Sequence, residues 1–264
     1  LQGDWSSDVC SSDLAPSDTI NIARTKRRKE ETMPNWCYTS ITVSGPKEDI
    51  LGFIDKACAG YIIPEGDPEV AKSKSLSLAE AGPCYEGVLS FGSVADIPAN
   101  YAEDWYNYNI ATFGTKWDLS GEDGDLSRDY WIEQVNEAEK LGLMPHLSIN
   151  IETAWSFPKE GICLWSKAAP TLTFTCTTRE ESEAFAGAAI AIAGEIYEDF
   201  FDPQEVVDSS EHLLVDSSDE EVIFDGEDEE YDFFSHWEMV AQIVGSELDN
   251  RLDKLRKYVS SIKE

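Results

Sequence analysis

The side chains that could carry chemistry are scattered along this sequence. The three histidines, His146, His212 and His236, lie far apart, and no serine or cysteine has the neighbours of a nucleophile elbow. A Ser-His-Asp triad is therefore not indicated. Carboxylate pairs such as Glu122 and Asp123 recur throughout so acidic a chain and are no evidence of acid–base catalysis. We predict no catalytic residues and a protein that is not an enzyme.

Metal sites and cofactors are not indicated either. The cysteines form no C-x-x-C pair and have no histidine at ligand spacing. The acidic runs at 216–219 and 225–228 do not match a calcium-binding loop. Free and mostly buried thiols in a reducing cytoplasm are the simplest interpretation of the six cysteines. They are Cys10, Cys37, Cys58, Cys84, Cys163 and Cys176.

The charge of the chain restricts its partners. The formal net charge is −32, and contacts with phosphates need lysine and arginine, so direct nucleic-acid binding is disfavoured. We expect a protein partner that is basic or is contacted through uncharged surface. The longest apolar stretch, around Ala184–Ala193, is too short to cross a bilayer, so we expect a cytoplasmic protein without membrane contact.

The first 32 residues read as an artefact. Residues 4–14, DWSSDVCSSDL, look like a translated short-read sequencing adapter, and the codons for Lys29–Glu31 would contain a ribosome-binding site before Met33. We predict that 1–32 is disordered and not part of the protein, and that Met33 is its start. The alternative is a genuine basic arm, because five cations cluster there. They are Arg24, Lys26, Arg27, Arg28 and Lys29.

Alternation and helical periodicity divide the first half of the remaining chain into elements. A strand is predicted over Cys37–Val43 and a helix from Pro46 to about Gly60. A second strand is predicted over Tyr85–Phe91, and a further helix over Tyr130–Leu141.

The second half continues in the same way. Strands are predicted over His146–Glu152 and Leu172–Thr177, with a short helix over Lys159–Ala168 between them. The segment Phe185–Tyr197 fits either an Ala-rich helix or a Gly-interrupted strand. An amphipathic helix is predicted over 233–264.

Acidic residues are concentrated before that last helix. No Lys or Arg occurs between Glu195 and Asp232, and we define an acidic segment over 201–232. Its composition favours a solvating, disordered linker. A surface that imitates nucleic acid is the alternative. Apolar residues at 213–215 and 222–224 also allow an ordered strand pair.

Three aromatic motifs carry a resemblance to a known family. They are Met33-Pro34-Asn35-Trp36-Cys37, Phe113-Gly114-Thr115-Lys116-Trp117-Asp118 and Thr153-Ala154-Trp155-Ser156-Phe157-Pro158. In this order they resemble the YubB-like ferredoxin-like domain family, over about Met33 to Tyr197. The resemblance implies an α+β fold, a ferredoxin-like β-α-β-β-α-β sandwich with insertions over 33–200, and a strand at 185–197. The family occurs on plasmids, phages and bacterial genomes and has no established activity, so no reaction is implied.

The motifs supply the candidate site residues. Six of them could converge as a recognition surface, with tryptophan rings for contact and Lys116 and Asp118 for polar fixation. The competing interpretation, which we favour here, is a structural signature in which the tryptophans are buried. The six residues are Asn35, Trp36, Lys116, Trp117, Asp118 and Trp155.

The sequence therefore predicts a non-enzymatic accessory protein of a phage, plasmid or other bacterial mobile element that binds a protein partner. One alternative is an acidic nucleic-acid mimic that inhibits a DNA-binding or host-defence protein, which DNA competition would reveal. The alternative of another class is an enzyme with an unrecognised site around Trp36, Lys116 and Trp155, which an absence of turnover in a hydrolase and nuclease screen would oppose.

Overall fold

A computed structural model describes residues 35–62, 86–119, 127–214 and 229–262. These residues form an α+β fold in which five antiparallel strands are combined with several helices. The strands are β1 (Trp36–Ser44), β2 (His146–Ala154), β3 (Thr173–Glu180), β4 (Ala186–Ile192) and β5 (Glu195–Phe201). The helices are α1 (Lys47–Ala57), α2 (Tyr101–Phe113), α3 (Arg128–Lys140), α4 (Lys159–Ala168), α5 (Pro203–Leu214) and α6 (Glu229–Ile262), with a 3-10 turn at Gly92–Val94. The predicted artefact, 1–32, lies outside the described residues.

The sheet has the strand order β2-β1-β3-β4-β5. β1 lies between β2 and β3, with Trp36 opposite Ala154 in one ladder and Cys37 opposite Glu180 in the other. β3, β4 and β5 then form a meander. Because β2 and β3 are both antiparallel to β1, they run parallel to each other, and α4 connects them.

One face of the sheet carries the main core. Burial alternates along β1, so that Cys37, Ile41 and Val43 point inward while their neighbours are exposed. The ring of Phe53 on α1 meets Trp165 on α4 edge to face, with ring centroids 5.6 Å apart. The two helices are thereby packed through aromatic rings over the central strands.

The opposite face is covered at one end. Ala188 and Ile190 of β4 pack against Leu252, Leu255 and Val259 of α6. The nearby Arg251 forms ion pairs with Asp199 and Glu247. On β1 and β2 this face is instead exposed, and it carries Ser40, Ser148 and Asn150.

Most of the predicted elements are confirmed within a few residues, and the open alternative at 185–197 is decided. The ambiguous segment at 185–197 forms strands β4 and β5, which turn at Ala193 and Gly194 with positive φ angles of 52° and 88°. In the acidic segment, Pro203–Leu214 is helical, so a strand at Leu213–Leu214 is wrong. The second half of that predicted strand pair, 222–224, lies outside the described residues.

The strand predicted over Tyr85–Phe91 does not form in its described part, 86–91. Val88 makes an isolated bridge to Ser127, Glu86 and Gly87 form a turn, and residues 89–91 are irregular. Their backbone groups bond elsewhere: the N–H of Ser90 donates to Ala57 O at 2.9 Å, and the N–H of Phe91 donates to the Asp118 carboxylate at 2.8 Å. A complete β-α-β-β-α-β order is therefore not observed among the described elements.

None of the helices in the described ranges is long and apolar enough to span a membrane.

Candidate binding surface

Three of the signature tryptophans meet at the end of the sheet where β1 begins and β2 ends. The ring centroids of Trp36 and Trp117 are 6.3 Å apart, and those of Trp117 and Trp155 are 6.2 Å apart with the planes nearly parallel. Lys116 lies against the same rings. We call these four residues, Trp36, Lys116, Trp117 and Trp155, the tryptophan surface.

The rings of this surface are open to solvent. Trp117 is 39% exposed and Trp155 is 45% exposed, while Trp36 is half-buried. The interpretation favoured from the sequence, in which these tryptophans are buried, is therefore wrong. Asn35 is also exposed, and its backbone carbonyl joins it to the surface by accepting the Trp155 N–H at 2.9 Å.

The backbone at Trp155 is held in an unfavourable conformation. Its φ angle is +66°, in the left-handed region, where a residue with a β-carbon costs about 1–3 kcal/mol. Such strain persists where the surrounding structure fixes it, and it is concentrated at functional sites. Here Trp155 follows the last residue of β2, and the positive φ turns the chain so that the ring lies beside Trp117.

Hydrogen bonds between neighbouring loops fix the position of Lys116 and Trp117. Helix α2 ends at Gly114, which adopts φ +76°. The Asn109 side chain donates to the Lys116 carbonyl at 3.0 Å, and the Ser156 hydroxyl donates to the Gly114 carbonyl at 2.6 Å. The loop after α2 and the loop after β2 are thus tied together beneath the rings.

Lys116 contributes a cation to the surface. Its Nζ lies 4.2 Å from the Trp117 ring centroid and 5.1 Å from that of Trp155. Cation–π contacts at exposed positions contribute about 0.5–1 kcal/mol each. None of the described carboxylates forms an ion pair with Lys116. The surface therefore combines flat apolar rings with one positive charge.

Asp118 does not belong to this surface, contrary to the sequence-based expectation. Its carboxylate is buried and accepts the backbone N–H groups of Phe91, Gly92 and Leu119 at 2.7–2.9 Å. Burial raises the pKa of Asp118, although the three backbone donors oppose the shift. The residue fixes the turn at Gly92–Val94 in the interior, so its role is structural.

No chemistry is indicated for the thiols in the described ranges. Cys37, Cys58, Cys163 and Cys176 are free, and burial raises the pKa of Cys58 to about 12. A thiol that stays protonated is a poor nucleophile and a poor metal ligand. Among the described residues, no group of three or more His, Cys, Asp or Glu could hold a metal ion.

A cavity that the sequence did not predict lies at the open face of β1 and β2. Its volume is about 550 Å³, and it is lined by polar side chains such as Tyr38, Ser40 and Asn150 together with Tyr130 and Trp131 of α3. The alternation of polar residues in β1 and β2 was visible in the sequence. That α6 would cover β4 and leave these strands open was not.

Comparisons with known proteins add little. No protein-family model matches the chain, and no curated protein matches it. Among solved structures, the chain is similar to the crystal structure of a protein api92 from Yersinia pseudotuberculosis, assigned to the family model DUF1281. The sequence identity is 10%, and the match covers 63% of this chain and 98% of that chain with a TM-score of 0.23. At that TM-score the similarity supports no conclusion on fold or function.

Proposed function

We propose that this chain is a non-enzymatic accessory protein of a phage, plasmid or other bacterial mobile element, and that it binds a protein partner through the tryptophan surface. The observation that carries the proposal is the exposure of Trp117 and Trp155 side by side. Tryptophan dominates the energetics of protein interfaces because it buries a large area with few rotatable bonds. The assignment to a mobile element rests on the resemblance to the YubB-like family.

We also propose that the core is a ferredoxin-like domain without one edge strand. The unit β2-α4-β3 supports this, since two parallel strands with β1 between them and a helical connection make one split β-α-β unit. The second unit would need a strand after α1. The residues at 86–91 occupy that place in the chain and form turns instead.

The charge of the protein favours a basic partner. With 52 acidic against 20 basic residues, the chain attracts cations and repels phosphate backbones. Lys116 and the rings of the tryptophan surface would accept apolar and planar groups of that partner, with the acidic surroundings supplying steering. The free thiols are consistent with the cytoplasmic location that we propose.

A second candidate function is supported by helix α5. Glu205 and Asp208 are exposed while Val207 anchors the helix against α6, so part of the acidic segment is an ordered surface. Ordered carboxylates could imitate nucleic acid toward a DNA-binding protein. The variant D202N/E205Q/D208N would then release the partner, and added DNA would compete with it for wild-type protein.

The test of the proposal compares partner retention by three forms of the chain. Immobilised wild type, W117A/W155A and the control Y258A are incubated with bacterial lysate, and the retained proteins are quantified by mass spectrometry. Tyr258 is an exposed aromatic residue on α6, remote in sequence from the surface. We expect a specific partner to be retained by wild type and Y258A and lost by W117A/W155A. Equal retention by all three forms would refute the proposal.

A further inference from the structure

The outer edge of β2 lacks a partner strand in the described part of the chain. β2 is the first strand in the sheet order and pairs with β1 alone. Its nine residues, HLSINIETA, contain no proline, lysine or arginine. Natural proteins often protect such an edge with proline or with charged residues, above all lysine, because its free N–H and C=O groups can pair with another chain, and β2 carries only the carboxylate of Glu152.

The cavity of about 550 Å³ lies over the open face of the sheet, beside this edge. It is lined by residues of β2 such as Asn150 and Glu152, by residues of β1 and β3, and by Tyr130 and Trp131 of α3. Cavities of this size accommodate small ligands or short peptide segments. Side chains of a segment that pairs with the edge of β2 would therefore have a cavity to enter on this face of the sheet.

An unpaired donor lies in the same wall. Trp131 is buried, and its Nε1 has no hydrogen-bond partner among the described residues. A buried donor left without an acceptor costs about 1–3 kcal/mol. Because this Nε1 is inaccessible to solvent, a backbone carbonyl of a bound segment would relieve that cost only with a shift of the indole toward the cavity.

We propose that β2 accepts an extended, basic segment of the protein partner as an added strand, an inference that rests on the proposed function. Addition of a strand uses the backbone groups of the edge for affinity and alternate side chains for specificity. A segment that pairs with all of β2 would be about 30 Å long at 3.3 Å per residue. Trp155 directly follows Ala154, so the same segment would reach the tryptophan surface.

The charges around the cavity determine which charge the bound segment should carry. Glu152 is exposed at the cavity, and the guanidinium of Arg179, the cationic residue in its lining, is paired with Glu183. The excess charge at this site is thus negative, as it is for the whole chain. Lysine or arginine at alternate positions of the bound segment would complement it.

Hydrogen–deuterium exchange of the full chain tests the inference with the probe peptide Ac-KVTVKVTVK-amide. We expect the β2 amides that point away from β1 to exchange rapidly in the free protein and at least tenfold more slowly with the peptide, while those that donate to β1 exchange slowly in both. A matched peptide, N-methylated at alternate residues, keeps the charge but cannot pair as a strand, and we expect it to bind at least tenfold more weakly. Slow exchange of the outward-pointing amides in the free protein, equal binding of the two peptides, or no protection of these amides by the peptide would each overturn the inference.

The same exchange measurement on the complex with the captured partner separates this inference from the proposed function. Protection of β2 together with loss of the partner from W117A/W155A supports both. Loss of the partner from W117A/W155A without protection of β2 refutes strand addition and leaves the proposed function standing. Protection of β2 with full retention by W117A/W155A refutes the tryptophan surface and leaves strand addition standing.

Discussion

The protein uses tryptophan in two regions with opposite physical consequences. In the core, Trp165 is fully buried, its ring centroid lies 4.5 Å from that of Phe91, and its Nε1 donates to Ser90 O at 3.1 Å. At the end of the sheet, Trp117 and Trp155 lie side by side but open to water. Core burial stabilises the fold directly, whereas the exposed pair leaves apolar area available for a partner. A buried tryptophan thus stabilises the fold, and the exposed pair is left for the binding role that we propose.

Removing the core ring should have the largest effect on stability. Trp165→Ala leaves a cavity between Phe53 and Phe91 and a carbonyl without its donor, so the free energy of unfolding should fall by about 3–5 kcal/mol. Urea unfolding followed by circular dichroism measures this change. Trp117→Ala serves as the control and should cost less than about 1 kcal/mol. Comparable losses for the two variants would abolish the distinction between the regions.

Asp118 is adjacent to Trp117 in the sequence, but its side chain lies in the interior and not in the tryptophan surface. Asp118→Asn replaces one carboxylate oxygen by an NH2 group facing backbone donors, and should lower the free energy of unfolding by about 2–4 kcal/mol. Partner binding, measured on the fraction that remains folded, should not change.

The pH dependence of that loss has a predicted sign. Burial raises the pKa of Asp118 in the folded protein above its ordinary value of 3.8, so the folded state binds a proton here more tightly than the unfolded state does. The stability gained from this proton is fully present below pH 3.8 and is lost as the pH rises through the folded-state pKa. The advantage of wild type over Asp118→Asn should therefore narrow from pH 4 to pH 8. Urea unfolding across this range measures it, and an advantage that widens with pH would contradict the burial of this carboxylate.

Trp155 allows backbone strain to be separated from the contribution of the ring. Glycine tolerates a φ of +66° without the penalty that a β-carbon imposes. The free energy of unfolding of Trp155→Gly should therefore be about 1 kcal/mol higher than that of Trp155→Ala. Both variants lack the ring and should lose the partner equally in the lysate assay. If alanine were as stable as glycine, the backbone at this position would not be strained.

Lys116 should have the smallest effect. Lys116→Met keeps the length of the side chain but removes the cation from the two rings. The free energy of unfolding should therefore fall by less than about 1 kcal/mol. Lys254→Met, at an exposed position of α6, is the matched control and should change nothing measurable. A difference between the two variants that disappears in 1 M salt would indicate simple screening of charge instead of a contact with the rings.

Much of the architecture could be predicted because periodicity reports local structure. The alternation in β1 and β2 and the helical spacing in α1 and α4 follow directly from which residues face the core. Residues 86–91 show the limit of that argument. Val88, Leu89 and Phe91 suit a strand, but their segment bonds to Asp118 and to the end of α1, and no periodicity encodes such distant partners.

The sequence predicted which residues form the candidate surface, but not how their side chains are arranged. The clustering of Trp36, Lys116, Trp117 and Trp155 in motifs identified the residues that meet. Whether their rings face inward or outward depends on the left-handed turn at Trp155, which is atypical of tryptophan and has no sequence signal. The adjacent Asp118 turns inward for a similar reason, since three distant or neighbouring backbone donors draw it into the core.

Hydroxyl-radical footprinting of the tryptophans, read out by mass spectrometry, tests the central claim most directly. In the free protein we expect rapid oxidation of Trp117 and Trp155 and slow oxidation of Trp165. In the complex with the captured partner, Trp117 and Trp155 should become protected while Trp165 is unchanged. Slow oxidation of the pair in the free protein, or oxidation unaffected by the partner, would contradict a binding role for the tryptophan surface.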